Sequence, residues 1–302
     1  MQQEDIFHAY KPLLFSIAYH MLGSITDAED CVQEAFLRWY GASHQGERAA
    51  VRSPKSYLST VVTRLCIDHL RSARQEREHY VGIWLPEPLV TSDETSLTGM
   101  AERSEALSLA LLRLLEQLSP VERAVFLLHQ VFDYDYAEIA VVVQKSADHC
   151  RQIGHRARQH LEGGRSPYPA SKEQHTALLR QFRRACTNGD MDGLLALLAN
   201  DIVAYSDSGG KAVAPRHPLQ GADKVMRFFL GVGRKLNGLP SFAARTATIN
   251  GWPGMVTYLN DRPYFLLALE NVDGRIQEID IVANPDKLHR VPARTDEGDR
   301  LS

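Results

Sequence analysis

Between residues 119 and 161 the sequence places three helix starts in close succession, and no other stretch restricts the fold so tightly. Ser119 and Glu122 make a capping box around Pro120, a residue suited to the first helical position. Asp135 and Glu138 repeat that pattern before a short helix bearing Ala137, Ile139 and Ala140. A brief turn at Val143-Gln144-Lys145 leads to Ser146, a good N-cap for a helix through Leu161. Short helix, turn and longer basic helix are the layout of a helix-turn-helix. Cys150, Ile153, Ala157 and Leu161 share one face of the last helix, so Arg151, Gln152, His155 and Arg158 point away from it. Arg and Gln can read purine edges bidentately, and other basic groups hold phosphates. Ahead of this block, Leu107, Leu111, Leu114, Leu115 and Leu118 predict one amphipathic helix.

The N-terminal 78 residues also read as helices. Phe7, Tyr10, Leu13, Leu14, Ile17, Ala18 and Met21 recur at helical spacing. Thr26 with Glu29 predicts a capping box for the next helix, whose inward stripe is Val32, Ala35, Phe36 and Trp39. Glu29, Asp30, Gln33, Glu34 and Arg38 stay outside as an acidic, hydrogen-bonding face. Ser53-Pro54 opens a third helix that turns Tyr57, Leu58, Val61, Val62, Leu65 and Leu70 inward and leaves Arg64, Arg71 and Arg74 available to a polyanion. From 79 to 101 periodicity is lost. Trp84-Leu85-Pro86-Glu87-Pro88 predicts an extended linker whose tryptophan docks on a domain. Gly163 to Pro169 marks another boundary. Beyond it two helices precede strand-like runs at 201–205, 242–249, 255–259, 264–270 and 276–282, with a helix over 221–235. The expectation is an α+β domain with a curved antiparallel sheet and one concave pocket.

The net charge of −3 weighs against nucleic-acid binding until it is resolved by segment. Residues 1–170 hold 17 Lys/Arg against 22 Asp/Glu, and the remainder 17 against 15. The basic residues concentrate in two places: Arg52 to Arg77, opposed only by Asp68 and Glu76, and Lys145 to Arg158. The opening MQQEDIFHAY argues against a secretory signal, and no run approaches the roughly 20 apolar residues of a membrane helix. Cys31, Cys66, Cys150 and Cys186 form no C-x-x-C pair, as expected of thiols in a reducing cytoplasm. No cofactor or metal is expected.

The residues also carry a resemblance. Pro12 to Tyr19, Gly23-Ser24 and Asp27 to Phe36 resemble region 2 of extracytoplasmic-function sigma factors, and residues 119–161 resemble their region 4. The third domain resembles the SnoaL-like, cone-shaped fold of the sigma-J type subgroup. Trp84 to Pro88, Asp207-Ser208-Gly209-Gly210-Lys211 and Asn284-Pro285-Asp286-Lys287-Leu288 carry that likeness. It implies region 2 over 1–78, a linker over 79–101, region 4 over 102–165, a regulatory domain over 170–290 and a tail over 291–302.

The resemblance further implies that Asp30, Gln33 and Glu34 meet the clamp of the RNA polymerase largest subunit, with the flap as a second contact. Arg64, Arg71 and Arg74 would engage the promoter −10 element, with Tyr57 or Trp39 stacking if exposed, although core positions suit both aromatics better. Arg151, Gln152, His155 and Arg158 would approach the −35 groove. Trp84, Pro86, Glu87, Asp207, Gly209, Gly210, Lys211, Asn284 and Asp286 would hold the third domain to the sigma core. A small ligand in the C-terminal pocket is a further candidate partner, and a dedicated anti-sigma factor is left open. Four departures stand out: Ser208 where the subgroup has glycine, Gln144 in the turn where glycine is usual, Cys150 where a branched apolar residue is usual, and Gly154 inside a helix, at a cost of up to about 1 kcal/mol. Two alternatives stay open: a DNA-binding regulator independent of polymerase, and a ligand-sensing or enzymatic SnoaL-like protein. The latter would draw on Asp207, His217, Asp261 or Glu270, with Trp252, Tyr258, Tyr264 and Phe265 around a cavity, although ordinary core packing accounts better for these aromatics.

Overall fold

The computed structural model describes residues 3–44, 53–77, 80–91, 107–162 and 171–294, without the side chains of 3, 42–44 and 73–77. In chain order the elements are α1 (Gln3–Leu22), α2 (Ile25–His44), α3 (Pro54–Arg77), β1 (Val90–Thr91), α4 (Leu109–Leu115), α5 (Pro120–Gln130), α6 (Tyr136–Val143) and α7 (Ala147–Glu162). They continue as α8 (Lys172–Asn188), α9 (Met191–Leu197), β2 (Leu198–Asp207), β3 (Leu219–Gln220), α10 (Ala222–Leu236), β4 (Phe242–Ile249), β5 (Trp252–Leu259), β6 (Arg262–Val272), β7 (Arg275–Val282) and α11 (Pro285–Leu288). Two compact units result. One holds α1–α3, most of α4 and α5–α7; the other holds the segment from Tyr80, the start of α4 and everything from α8 onward.

In the helical unit the predicted stripes are buried: Leu14, Ile17 and Met21 of α1, Val32, Ala35 and Trp39 of α2, and Leu58, Val62 and Cys66 of α3. Trp39 lies in the core, 2% exposed and 5.7 Å from the ring of Tyr57. The start of α2 departs from expectation. Ser24, not Thr26, caps it, its hydroxyl accepting the Asp27 amide at 3.3 Å, because the helix already includes Ile25. Capping boxes at Ser119–Glu122 and Asp135–Glu138 form as read, and Ser146 accepts the His149 amide. α4 is shorter than the leucine pattern suggests and buries Leu109, Leu112 and Leu115, leaving Leu111 and Leu114 half-exposed.

The two helical blocks pack into this one unit through buried polar contacts. Arg123, 3% exposed, donates to the carbonyls of Met21 and Leu115 and to Glu116. Burial draws its guanidinium down to about 9, and these three acceptors give its buried donors partners. The Tyr134 hydroxyl donates to Ser59 Oγ at 2.7 Å.

The second unit corrects the expected fold. Its sheet is a single open one in the order β1-β4-β5-β6-β7-β2-β3, neither curved round nor closed into a cone, and it is mixed because β2 runs parallel to β7. Period-two alternation reports which residues share a face and carries no information on a neighbour's direction. β4 to β7 form the antiparallel meander, and β2 reaches its outer edge from the other side of α10 in sequence. α8, α9 and α10 cover one face through Phe182, Leu194, Phe229 and Leu230. A second cluster gathers Tyr258, Leu266 and Val282 with Leu85 and Leu109. Leu85 comes from the proline-rich segment, which also supplies β1: Val90 pairs with Ile249 and Thr91 with Thr248.

Candidate nucleic-acid interface and linker site

The helix-turn-helix is built as its caps dictate. Gln144 closes α6 in the left-handed region, at φ 55° and ψ 48°, a conformation that favours glycine. On α7, Cys150, Ile153, Ala157 and Leu161 are buried while Arg151, Gln152, His155, Arg156 and Arg158 are exposed on the other side. Arg151 pairs with Asp148 and lies over the ring of Tyr136, 5.8 Å from its centroid. The same ring accounts for Gly154: a Cβ there would sit 2.9 Å from the Tyr136 hydroxyl. Glycine is therefore the packing solution that brings α6 and α7 together.

On α2, Asp30 and Gln33 are exposed, and Glu34 is half-buried in a 3.0 Å ion pair with Arg38. On α3 the three arginines fare differently. Arg71 is exposed and paired with Asp68 at 3.1 Å, and the Arg74 side chain lies outside the described residues. Arg64 is not free for a polyanion in this arrangement. Its Nε and Nη2 donate to the carbonyls of Val142 and Val141 at 2.9 and 2.7 Å, at the C-terminal end of α6. A cation there satisfies carbonyls that a helix end leaves open.

The three short motifs of the C-terminal unit converge on one carboxylate. Asp207, at the end of β2, is fully buried. Its Oδ1 accepts the Tyr80 hydroxyl at 2.6 Å and the Gly209 amide at 3.0 Å. Its Oδ2 accepts the Leu85 amide at 2.9 Å and Lys287 Nζ at 2.7 Å. Lys287 also donates to the Leu85 carbonyl and lies 4.2 Å from the Trp84 ring centroid and 5.3 Å from that of Tyr80. Burial and the Asp207 carboxylate push the Tyr80 phenol up, which keeps it a donor. Asn284 donates to the Tyr80 oxygen at 2.8 Å, and Lys211 pairs with Asp286. Pro86 is buried beside Leu85, and Glu87, 5% exposed, faces Arg290 at 3.8 Å. Asn250 fixes the end of the segment through its side-chain oxygen and its amide, both on Leu89.

Gly209 and Gly210 have φ of 55° and 72°, and a Cβ on Gly209 would lie 2.5 Å from Asn284 Nδ2, so both positions demand glycine. Ser208 has no such φ, and its hydroxyl accepts the Gly210 amide at 3.3 Å; the departure at that position leaves the loop intact. Tyr80, Lys287, Asn250 and Arg290 went unselected from the sequence. Lys287 stands within a quoted motif, while Tyr80 and Asn250 carry no local signal.

The carboxyl and imidazole candidates for chemistry do not assemble. His217 and Asp261 are exposed, Glu270 is half-buried on β6, and Asp207 accepts all four of its hydrogen bonds from the linker segment, Gly209 and Lys287. Trp252 packs against His175 at 5.9 Å, and Tyr258 is core. No described helix is long and apolar enough to cross a membrane.

Comparison with known proteins agrees with this layout. Residues 6–76 match the Sigma-70 region 2 family and residues 108–161 the Sigma-70, region 4 family. The chain is 35% identical to the ECF RNA polymerase sigma factor SigJ of Mycobacterium tuberculosis over 95% of its own length and 94% of the relative's. It is 32% identical to a probable ECF RNA polymerase sigma factor SigI of the same organism, over 95% and 97%. The crystal structure of M. tuberculosis SigJ superposes with a TM-score of 0.77 at 33% identity, covering 95% of this chain and 99% of that one.

Proposed function

The chain belongs to the extracytoplasmic-function sigma factors, which direct RNA polymerase to promoters, and from that premise we propose that its C-terminal unit regulates it in cis through the Asp207 clamp on the linker. The observation that carries the proposal is the four-donor seat of Asp207, which binds Tyr80 and Leu85, residues that lie between the region 2 and region 4 matches. A linker held this way has its position set by the C-terminal unit. In the open complex the acidic face of α2, with Asp30, Gln33 and Glu34, meets the clamp of the polymerase largest subunit, and region 4 meets the flap. Arg64, Arg71 and Arg74 of α3 serve the −10 element, and Arg151, Gln152, His155 and Arg158 of α7 serve the −35 groove. The exposed basic face of α7 supports the last assignment. Arg64 must leave Val141 and Val142 before it can reach DNA, so promoter engagement and release of α6 are one event.

The test is in vitro transcription with polymerase core, using promoters selected by sequencing. Full-length protein, a chain ending at Glu162 and Asp207→Asn are compared at equal folded concentration. Different promoter output from the three is expected, whereas identical output removes the regulatory role. Arg158→Ala should weaken binding across promoter sequences if it holds a phosphate, while Gln152→Ala should relax preference at one base pair if it reads an edge. Tight selective binding of duplex without core would instead favour a polymerase-independent regulator.

A further inference from the structure

Asp207 has a neighbour that the clamp does not use. Ser206 is 3% exposed, and its hydroxyl has no hydrogen-bond partner among the described residues. Successive strand residues face opposite sides, so where Asp207 turns to the linker, Ser206 belongs to the wall of a cavity of about 420 Å³ in the C-terminal unit. That volume lies within the range of small-molecule sites, roughly 300–1,000 Å³. Phe228, Val232, Leu236, Phe265 and Ile281 make its walls apolar, and Val213 and Tyr264 stand exposed at its rim.

The charge on the lining has one sign. Arg227 and Lys235 line the cavity, no Asp or Glu does, and neither cation forms an ion pair with a described residue. Lys235 sits in the last turn of α10, where a cation suits the helix dipole, and Arg227 stands two turns earlier; both are exposed at the mouth of the cavity. Arg227, Gly231 and Lys235 follow at intervals of four, which puts them on one helix face. Gly231 is the gap between the two cations. A Cβ at Gly233 would sit 2.9 Å from the Cys186 carbonyl, so packing requires that glycine, but a Cβ at Gly231 would meet nothing within 4 Å.

From the apolar walls and the two cations without an acidic partner, we infer that this cavity binds an amphipathic organic anion: an apolar body against Phe228, Phe265 and Ile281, with a carboxylate or comparable acidic head between Arg227 and Lys235. The seat is continuous with the linker clamp. Ala283 lines the cavity while its amide donates to the Asp207 carbonyl at 2.7 Å, and Asn284 follows it onto Tyr80. Occupancy therefore stiffens the clamp; this consequence rests on the regulatory reading above, whereas binding does not.

Full-length protein is titrated calorimetrically with decanoate and, as the uncharged match, 1-decanol. Decanoate is expected to bind about tenfold more tightly than decanol, an advantage that Arg227→Ala/Lys235→Ala removes while decanol affinity stays. Gly231→Phe places a ring where a Cβ meets nothing within 4 Å and should abolish both. Because Gly231 and the two cations are surface positions of one helix, a thermal midpoint at or above the parent's confirms that each variant is folded. Equal affinity for the two probes, no saturable binding, or binding that survives Gly231→Phe overturns the site. Hydrogen exchange at the Leu85 amide should slow at saturating decanoate. Unchanged exchange with intact binding overturns the link to the clamp and leaves the site standing.

Discussion

Asp207→Asn changes one oxygen to an amide group without altering shape, so its consequences follow from the four contacts alone. Each carboxylate oxygen accepts two donors, Tyr80 Oη and Gly209 N on one, Leu85 N and Lys287 Nζ on the other. Either orientation of the asparagine sets an NH2 against two donors and forfeits both bonds. Lys287, whose side chain is 12% exposed, also loses its counter-charge. Two lost bonds at about 1 kcal/mol each, with a largely buried cation deprived of the Asp207 charge, place the cost at about 3–5 kcal/mol. Because domain stability is itself about 5–15 kcal/mol, the substitution should open the linker locally before it unfolds the unit. Exchange of the Leu85 amide should accelerate on the order of a hundredfold, and Trp84, beside Lys287, should report the release by fluorescence. Asp207→Asn/Lys287→Met should recover about 2 kcal/mol relative to the single variant, since no buried charge is then stranded. Denaturant midpoints within about 0.5 kcal/mol of the parent, together with unaltered Leu85 exchange, would refute the reasoning.

Three further substitutions probe the helical unit. Gln144→Gly should stabilise it by about 1 kcal/mol, because residue 144 is left-handed; an unchanged urea midpoint would show that the turn carries no such strain. Gly154→Ala should fail to deliver the usual helix gain of about 1 kcal/mol, and should deliver it in a Tyr136→Phe background, where the opposing hydroxyl is gone; equal effects in both backgrounds would separate Gly154 from Tyr136. Burial holds His20 near pH 4 instead of its ordinary 6.5, so the unfolded chain binds a proton there that the fold does not. Stability should fall as pH drops from 6.5 toward 4, by up to about 3 kcal/mol, and a His20→Gln variant should show a flatter urea midpoint over that range.

Local chemistry made much of the helical unit legible. Ser119, Asp135 and Ser146 announce helix starts because a cap is a contact among residues within one turn. The exposed face of α7 follows from spacing alone. Where a feature depends on a distant segment, the sequence is silent. Gly154 looks like a defect until Tyr136 is placed over it, and Arg64 looks like a free cation until the end of α6 is found beneath it. The direction of β2 and the two-residue strand β1 escape for the same reason: pairing is a property of the partner strand. The clamp is an intermediate case. Its motifs were visible as three separate clusters, but Tyr80 and Asn250, which join them, belong to no local pattern.

Strand β1 also governs how far the chain can stretch. The segment from Tyr80 to Thr91 is tied into the C-terminal unit, the chain returns to that unit at Leu109, and it does so again from Ser171. The helix-turn-helix is thus strung between two anchorages on a single domain. Freeing residues 80–91 leaves about 40 Å of contour unheld between α3 and the anchorage at Leu109. In the regulatory role proposed above, one carboxylate would act as the catch on a reel, holding residues 80–91 to the C-terminal unit.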